Sequence, residues 1–64
     1  MNNFMIDYKK PECNVEVLAQ YGEIIYESKY MTIAVLKSDC SIEEIQAIKG
    51  VKSVYIEERN IMEA

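Results

Sequence analysis

The chain has 64 residues, half of them hydrophobic, and a formal net charge of −4 at pH 7. This length allows one domain, near the size at which a single hydrophobic core gives only marginal stability. The seven basic residues are scattered along an acidic chain, which argues against a nucleic-acid partner. The longest apolar run, Ile33 to Leu36, is far shorter than the roughly 20 residues of a membrane span. We therefore expect one soluble domain, residues 1–64, that gains support from a protein partner.

Residues that usually carry catalysis or ligand binding are scarce. The chain has no histidine and so lacks the commonest general base and the base of an ordinary catalytic triad. Cys13 and Cys40 are too few for an ordinary zinc site. They could form one disulfide, but two small buried thiols explain them equally well, and we favour free thiols. Gly22 and Gly50 are isolated and form no phosphate-binding loop. The sequence therefore predicts a binding protein rather than an enzyme, with no catalytic residue, metal or cofactor.

The N-terminal part of the chain predicts a strand followed by a short helix. Residues Met1 to Met5 show no basic segment followed by a long apolar run, so no signal peptide is visible and the cellular location stays open. Apolar and polar residues alternate from Phe4 to Lys9, as expected of a strand with one buried face. A helix is predicted from Pro11 to Tyr21, although Asn14 could also act as a cap that starts the helix later.

The middle of the chain predicts a hairpin. The segment Glu23 to Glu27 and the apolar run Tyr30 to Leu36 are typical of two strands, with a tight turn at Ser28 and Lys29. The turn lacks the Asn-Gly sequence that would fix its type, so the register of the hairpin stays open by one residue.

A second helix and a last strand complete the chain. Ser41 is followed three residues later by Glu44, which is the capping-box pairing, and an apolar stripe follows at Ile42, Ile45 and Ile48. Gly50 is expected to end this helix. Alternation from Val51 to Glu57 predicts the last strand, and residues 58–64 form a C-terminal tail.

This order predicts an α+β fold of the ferredoxin-like split βαββαβ type, with a four-stranded antiparallel sheet that carries both helices on one face. Strand alternation gives two sets of side chains. The set expected to face the helices is Met31, Ile33, Val35, Val54 and Ile56; the set expected on the open face is Tyr30, Thr32, Ala34, Ser53 and Tyr55. The open face is either an ordinary surface with scattered apolar groups or a docking face for a partner.

Four stretches, Gly22–Ile24, Ser28–Val35, Ser41–Ile45 and Gly50–Glu58, follow one another in an order that is also found in a known family. In these stretches, which lie in a region from Phe4 to the C-terminus, the chain resembles the inhibitor-type propeptides (prodomains) of subtilisin-family serine proteases. The resemblance rests on apolar patterns and on the Gly-Val start and Glu-Glu end of the last strand.

The resemblance implies an intramolecular folding chaperone and substrate-like inhibitor. Its partner would be the cognate subtilisin-like protease domain, with which it forms a heterodimer after autocleavage of the zymogen. The open sheet face would dock on two protease helices, and the tail would lie in the active-site groove, with Ala64 presenting the newly cut carboxylate. The implied docking residues are Tyr30, Thr32, Ala34, Tyr55, Glu57 and Glu58; the implied groove residues are Asn60, Ile61, Met62, Glu63 and Ala64.

The acidic end of the last strand matches the family in part. Glu57 corresponds to an acid that caps the N-terminus of a protease surface helix, where unpaired N–H groups and the helix dipole favour negative charge. Relatives often carry a second acid two positions later, and this chain has Arg59 there. The resemblance therefore implies one helix-capping acid, with Glu58 as a substitute for the second only if the end of the strand twists.

Two other functions are compatible with the same pattern. The first is a ferredoxin-like regulatory module that binds an amino acid or a similar small molecule at a dimer interface, although the chain lacks the glycine-bearing loop after the first strand that such a module uses. The second is a stand-alone protein-interaction domain, in which the sheet face is essential and the tail is dispensable.

Overall fold

A computed structural model of the chain describes residues 2–57. The sheet consists of β1 (Asn2–Tyr8), β2 (Glu23–Glu27), β3 (Ile33–Ser38) and β4 (Val51–Glu57). Helix α1 (Val15–Leu18), which continues into a 3-10 turn (Ala19–Tyr21), connects β1 to β2, and helix α2 (Ile42–Gln46) connects β3 to β4. The order of elements agrees with the sequence prediction.

The sheet has the strand order β2-β3-β1-β4, and every neighbouring pair of strands is antiparallel. Strands β1 and β3 lie at the centre. Helix α1 joins β1 to β2, the hairpin joins β2 to β3, and helix α2 joins β3 to β4. This is the ferredoxin-like split βαββαβ arrangement, so the predicted fold is confirmed.

The core lies between the sheet and the two helices. Three large side chains of β1, Phe4, Ile6 and Tyr8, are almost completely buried, as the alternation of the first strand predicted. Leu18 of α1 and Ile45 of α2 join the same cluster, so both helices cover the same face of the sheet. The other members of this core are Cys13, Ala34, Leu36 and Val54.

Side-chain caps determine where both helices begin. The Oδ1 of Asn14 accepts a hydrogen bond of 2.9 Å from the Val17 amide, so α1 starts after Asn14 rather than at Pro11 as predicted; the alternative in which Asn14 is the cap is correct. In α2, Ser41 and Glu44 form the predicted capping box, with reciprocal bonds of 3.2 and 2.8 Å. Such caps satisfy amide groups that have no partner within the helix.

Helix α2 ends earlier than predicted. It stops at Gln46 rather than at Gly50, because a turn follows in which the Val51 amide donates to the Ile48 carbonyl over 3.1 Å. Gly50 occupies this turn with a φ of 92°, a conformation that favours glycine. Its carbonyl accepts a 2.7 Å hydrogen bond from the Lys9 amide, which ties the end of β1 to the start of β4.

The hairpin between β2 and β3 is also longer than predicted. The Ser28 amide donates to the Ile33 carbonyl over 3.0 Å, so the strands separate there and residues 29–32 form a loop. The Ser28 hydroxyl accepts hydrogen bonds from the amides of Tyr30 and Met31, which holds the first half of this loop. The predicted strand start at Tyr30 and the tight turn at Ser28 and Lys29 are therefore wrong.

Strand β3 has the opposite orientation to the one predicted. Ala34 and Leu36 are fully buried against the helices, whereas Ile33 and Val35 occupy the alternate positions, on the open face. Ala34 pairs with Ile6 and Leu36 with Phe4, so the small side chain lies beside the large ones of β1 and the space is filled. Ser38 can also point inward, because its hydroxyl donates to the Tyr21 carbonyl over 2.6 Å.

Candidate functional site

The face of the sheet opposite the helices is arranged in three rows that cross the strands. Register pairs directly opposite each other point to the same side of a sheet, so each row can be traced from strand to strand. The polar row is Glu23, Lys37, Asn3 and Glu57; the central row is Tyr26, Val35, Met5 and Tyr55; the third row is Ile33, Asp7 and Ser53. We refer to these three rows together as the open sheet face.

The central row forms an apolar stripe across all four strands. Tyr26 and Tyr55, on the two outer strands, expose 58 % and 57 % of their surface, and Met5 on β1 exposes 38 %. Val35 lies half-buried between them. Three large, accessible apolar side chains in one row are more than the isolated exposed apolar residues that a small soluble domain normally carries. The stripe is therefore the strongest candidate for a docking surface.

A bulge in β2 brings Tyr26 into this row. Ile24 pairs with Leu36 and Tyr26 pairs with Val35, so Ile25 is an extra residue on the bulged strand. Without the bulge, the alternation of β2 would turn Tyr26 to the same side as Ile24, toward the helices. Bulges of this kind re-aim side chains on outer strands, and here the result is an aromatic ring at the edge of the open sheet face.

The two rows on either side of the stripe carry its charges. Glu23 and Lys37 are opposite each other across β2 and β3, and their charges are of opposite sign. Glu57 and Asp7 lie on the β1–β4 half of the face. The open sheet face is consequently apolar across its middle and acidic toward β4.

The predicted docking residues are only partly brought together. Tyr55 lies in the central row and Glu57 at the β4 end of the polar row. Tyr30 lies outside the sheet, in the 29–32 loop, with 93 % of its surface exposed. Thr32 is in the same loop, and its carbonyl accepts a 3.0 Å hydrogen bond from the Tyr8 amide. Ala34 cannot contact a partner on this face because it is completely buried in the core.

Several residues of the open sheet face were missed in the sequence prediction. Met5, Tyr26 and Val35 complete the central row, and Ile33 lies in the row beside it. One signal was available. In an alternating strand Lys37 lies on the same side as Ile33 and Val35, and a charged residue in a strand normally points to solvent. No comparable signal marks Tyr26, whose orientation depends on the bulge.

The remaining predicted site residues lie outside the described part of the chain. These are Glu58 and the groove residues Asn60, Ile61, Met62, Glu63 and Ala64. Strand β4 ends at Glu57, so this segment follows directly from the open sheet face in the sequence.

The two cysteines are free thiols in different surroundings. Cys13 is completely buried and its thiol pKa is raised, chiefly by that burial. Cys40 is half-buried, with its Sγ 3.9 Å from the Tyr21 carbonyl oxygen. Within residues 2–57, no group of three or more Cys, Asp or Glu side chains is placed to hold a metal ion, and no helix has the length and apolar character needed to cross a membrane.

Comparisons with protein-family models, with curated proteins and with solved structures find no match for this chain.

Proposed function

We propose that this chain is the propeptide of a subtilisin-like serine protease, acting as an intramolecular folding chaperone and as a substrate-like inhibitor. The observation that carries the proposal is the central row, an accessible apolar stripe on a sheet face that the two helices leave uncovered. The same function is supported by the order of the four sequence stretches that resemble the inhibitor-type propeptides.

The dimensions of the open sheet face suit helices of a partner. Four strands spaced at about 4.8 Å place the outer strands about 14 Å apart. Two packed helices have their axes about 8–10 Å apart, so two neighbouring helices of a protease domain fit within this width. Tyr26 and Tyr55 would then contact the outer flanks of the pair, while Met5 and Val35 fill the groove between them.

The aromatic residues supply most of the expected affinity. Tyrosine side chains at the centre of an interface are frequent hot spots, and truncation of one typically costs about 1–2 kcal/mol or more. Their rings bury large areas and have few rotatable bonds to immobilise. Strand pairing already fixes the backbone at Tyr26 and Tyr55, so docking has to order only their side chains.

Glu57 and the tail extend the contact toward the active site. A carboxylate at the end of β4 can accept hydrogen bonds from the free amides at the N-terminus of a protease helix, an interaction of about 0.3–1 kcal/mol. The seven residues after Glu57 can span at most about 23–25 Å when extended, which is enough for residues 60–64 to pair as an added strand in the substrate groove. Linking the two contacts raises the affinity above that of either alone.

Inhibition of subtilisin-like proteases by the 64-residue chain tests the proposal. The intact chain is expected to compete with a peptide substrate at micromolar concentration or below. A variant that lacks residues Ile61–Ala64 is expected to keep its circular dichroism spectrum and to lose competitive inhibition. The proposal is rejected if no protease of a representative panel is inhibited at micromolar concentration, and its groove-binding part is rejected if the truncated chain inhibits equally well.

A further inference from the structure

A depression with a volume of about 530 Å³ lies beside the hairpin loop, away from the open sheet face. It is bordered by the end of β1, the segment that follows β1, and the loop between β2 and β3. The residues that matter for its chemistry are Tyr8, Lys10, Glu27, Lys29, Tyr30 and Met31. Its volume falls within the range of about 300–1,000 Å³ that is usual for small-molecule sites.

Tyr8 lines this depression and contributes a hydroxyl group to the chemistry of the site. Tyr8 is only 1 % exposed, yet among residues 2–57 no hydrogen-bond partner of its hydroxyl is found. Among residues 2–57, every side-chain oxygen that is completely buried has a hydrogen-bond partner. Since the Tyr8 hydroxyl has no such partner, it keeps some contact with solvent. Burial first, and then the nearby Glu27 carboxylate, raise the pKa of Tyr8, so the phenol remains a hydrogen-bond donor at neutral pH.

Charges of both signs border the same depression. Lys10 and Lys29 supply two ammonium groups and Glu27 supplies a carboxylate, and none of the three forms an ion pair with a residue in the described range 2–57. Lys10 and Glu27 also line a second, smaller depression of about 230 Å³. Unpaired charges of opposite sign around one cavity complement a ligand that itself carries both charges.

An apolar rim completes the site. Met31 and Tyr30 are 62 % and 93 % exposed in the loop, and the Ser28 hydroxyl holds this part of the loop by accepting hydrogen bonds from both of their amides, at 3.1 and 3.3 Å. A methionine and an aromatic ring offer an adaptable apolar contact. The rim therefore suits a ligand with a short apolar side chain next to its charged groups.

We propose that this depression binds a free α-amino acid with an apolar side chain. Glu27 receives the α-ammonium group, and Lys10 and Lys29 receive the α-carboxylate, to which the Tyr8 hydroxyl donates a hydrogen bond. Met31 and Tyr30 contact the side chain. The site is separate from the open sheet face, and its existence does not depend on the protease-inhibitor function proposed above.

Titration of the full chain with L-leucine, followed by amide chemical shifts, tests the site. We expect saturable binding with a dissociation constant of about 1 mM or lower, and shifts concentrated at Lys10 and at residues 27–32. N-acetyl-leucine lacks the ammonium charge and leucinamide lacks the carboxylate, so both are expected to bind at least about fivefold more weakly. Absence of saturation at 20-fold higher concentrations, roughly 20 mM, overturns the proposal.

Two variants with matched controls locate the binding. Tyr8→Phe and Glu27→Gln are each expected to weaken leucine binding by about fivefold or more, whereas Tyr55→Phe and Glu23→Gln, which change residues of the open sheet face, are expected to leave it unchanged. Equal binding by the wild type and both depression variants contradicts the site. Equal binding of leucine, N-acetyl-leucine and inorganic phosphate contradicts the assignment of an amino acid as the ligand.

Discussion

Replacement of Gly50 by alanine is expected to destabilise the domain strongly. The backbone at Gly50 has a φ of +92°, and a Cβ built there would lie 2.7 Å from both the backbone nitrogen and the Cβ of Cys13, and 2.8 Å from the carbonyl carbon of Glu12. Two of these three atoms belong to the backbone, so no side-chain rotation can relieve the overlap. The segment that leads into α1 would have to move away from the start of β4.

The size of the effect follows from two contributions. A left-handed conformation costs a non-glycine residue about 1–2 kcal/mol, and overpacking in a filled region typically costs about 1–3 kcal/mol. Loss of chain entropy in the unfolded state offsets about 0.4–1 kcal/mol of this sum. The net loss is about 1–5 kcal/mol, while a domain of this size has a total unfolding free energy of about 3–10 kcal/mol.

Urea denaturation followed by far-ultraviolet circular dichroism measures this loss. The urea midpoint for Gly50→Ala should fall far below that of the wild type. If the loss is near the upper end of its range and the wild-type stability near the lower end of its own, the variant is partly unfolded without urea. Lys49→Ala, at the exposed neighbouring position, serves as the control and should change stability by no more than about 0.5 kcal/mol. A loss below about 1 kcal/mol for Gly50→Ala would show that the tight contact with Cys13 does not exist.

Three further results are expected. Ser41→Ala removes the acceptor of the Glu44 amide and should lower the unfolding free energy by about 1 kcal/mol in urea; an unchanged midpoint would contradict the capping box. Burial raises the pKa of Tyr8 above its ordinary value of 10.0, so ionisation of Tyr8 should leave stability unchanged below pH 10.0 and lower it above that pH. Tyr8→Phe should reduce the loss of stability at high pH; an identical pH profile for the variant and the wild type would contradict the burial of Tyr8. A thiol reagent should modify Cys40 about tenfold or more faster than Cys13, which is buried with a raised pKa; equal rates would contradict these environments.

Local sequence signals were sufficient for the order of the elements. The alternation of β1 correctly predicted its buried side chains, and the capping box at Ser41 correctly predicted where α2 begins. These features depend on residues a few positions apart, so they can be read without knowing the rest of the fold. The late start of α1 also followed from a local alternative, the Asn14 cap.

The orientation of β3 could not be decided from its apolar residues. Residues 31–36 are apolar on both sides of the strand except at Thr32, so alternation gives two equivalent solutions. Pairing with the large residues of β1 selects the one in which Ala34 and Leu36 point inward. A strand prediction extended to Lys37 and Ser38 would have favoured this solution, since Lys37 must reach solvent.

The candidate docking surface depends on long-range pairing. Its central row takes one residue from each of four strands, and only the register brings Met5 next to Tyr55 and Val35. The bulge at Ile25 then decides that Tyr26 joins this row. Neither feature leaves a periodic signal within one strand, which is why Tyr55 was predicted and its neighbours were not.

The most direct test of the proposed inhibitor function compares tyrosines on and off the open sheet face. The double variant Tyr26→Ser/Tyr55→Ser should weaken inhibition of a subtilisin-like protease by about 30-fold or more, as two interface tyrosines at about 1 kcal/mol each imply. Tyr30→Ser removes the most exposed tyrosine and should leave the inhibition constant unchanged. Equal inhibition constants for the wild type, the double variant and Tyr30→Ser would contradict docking through the open sheet face.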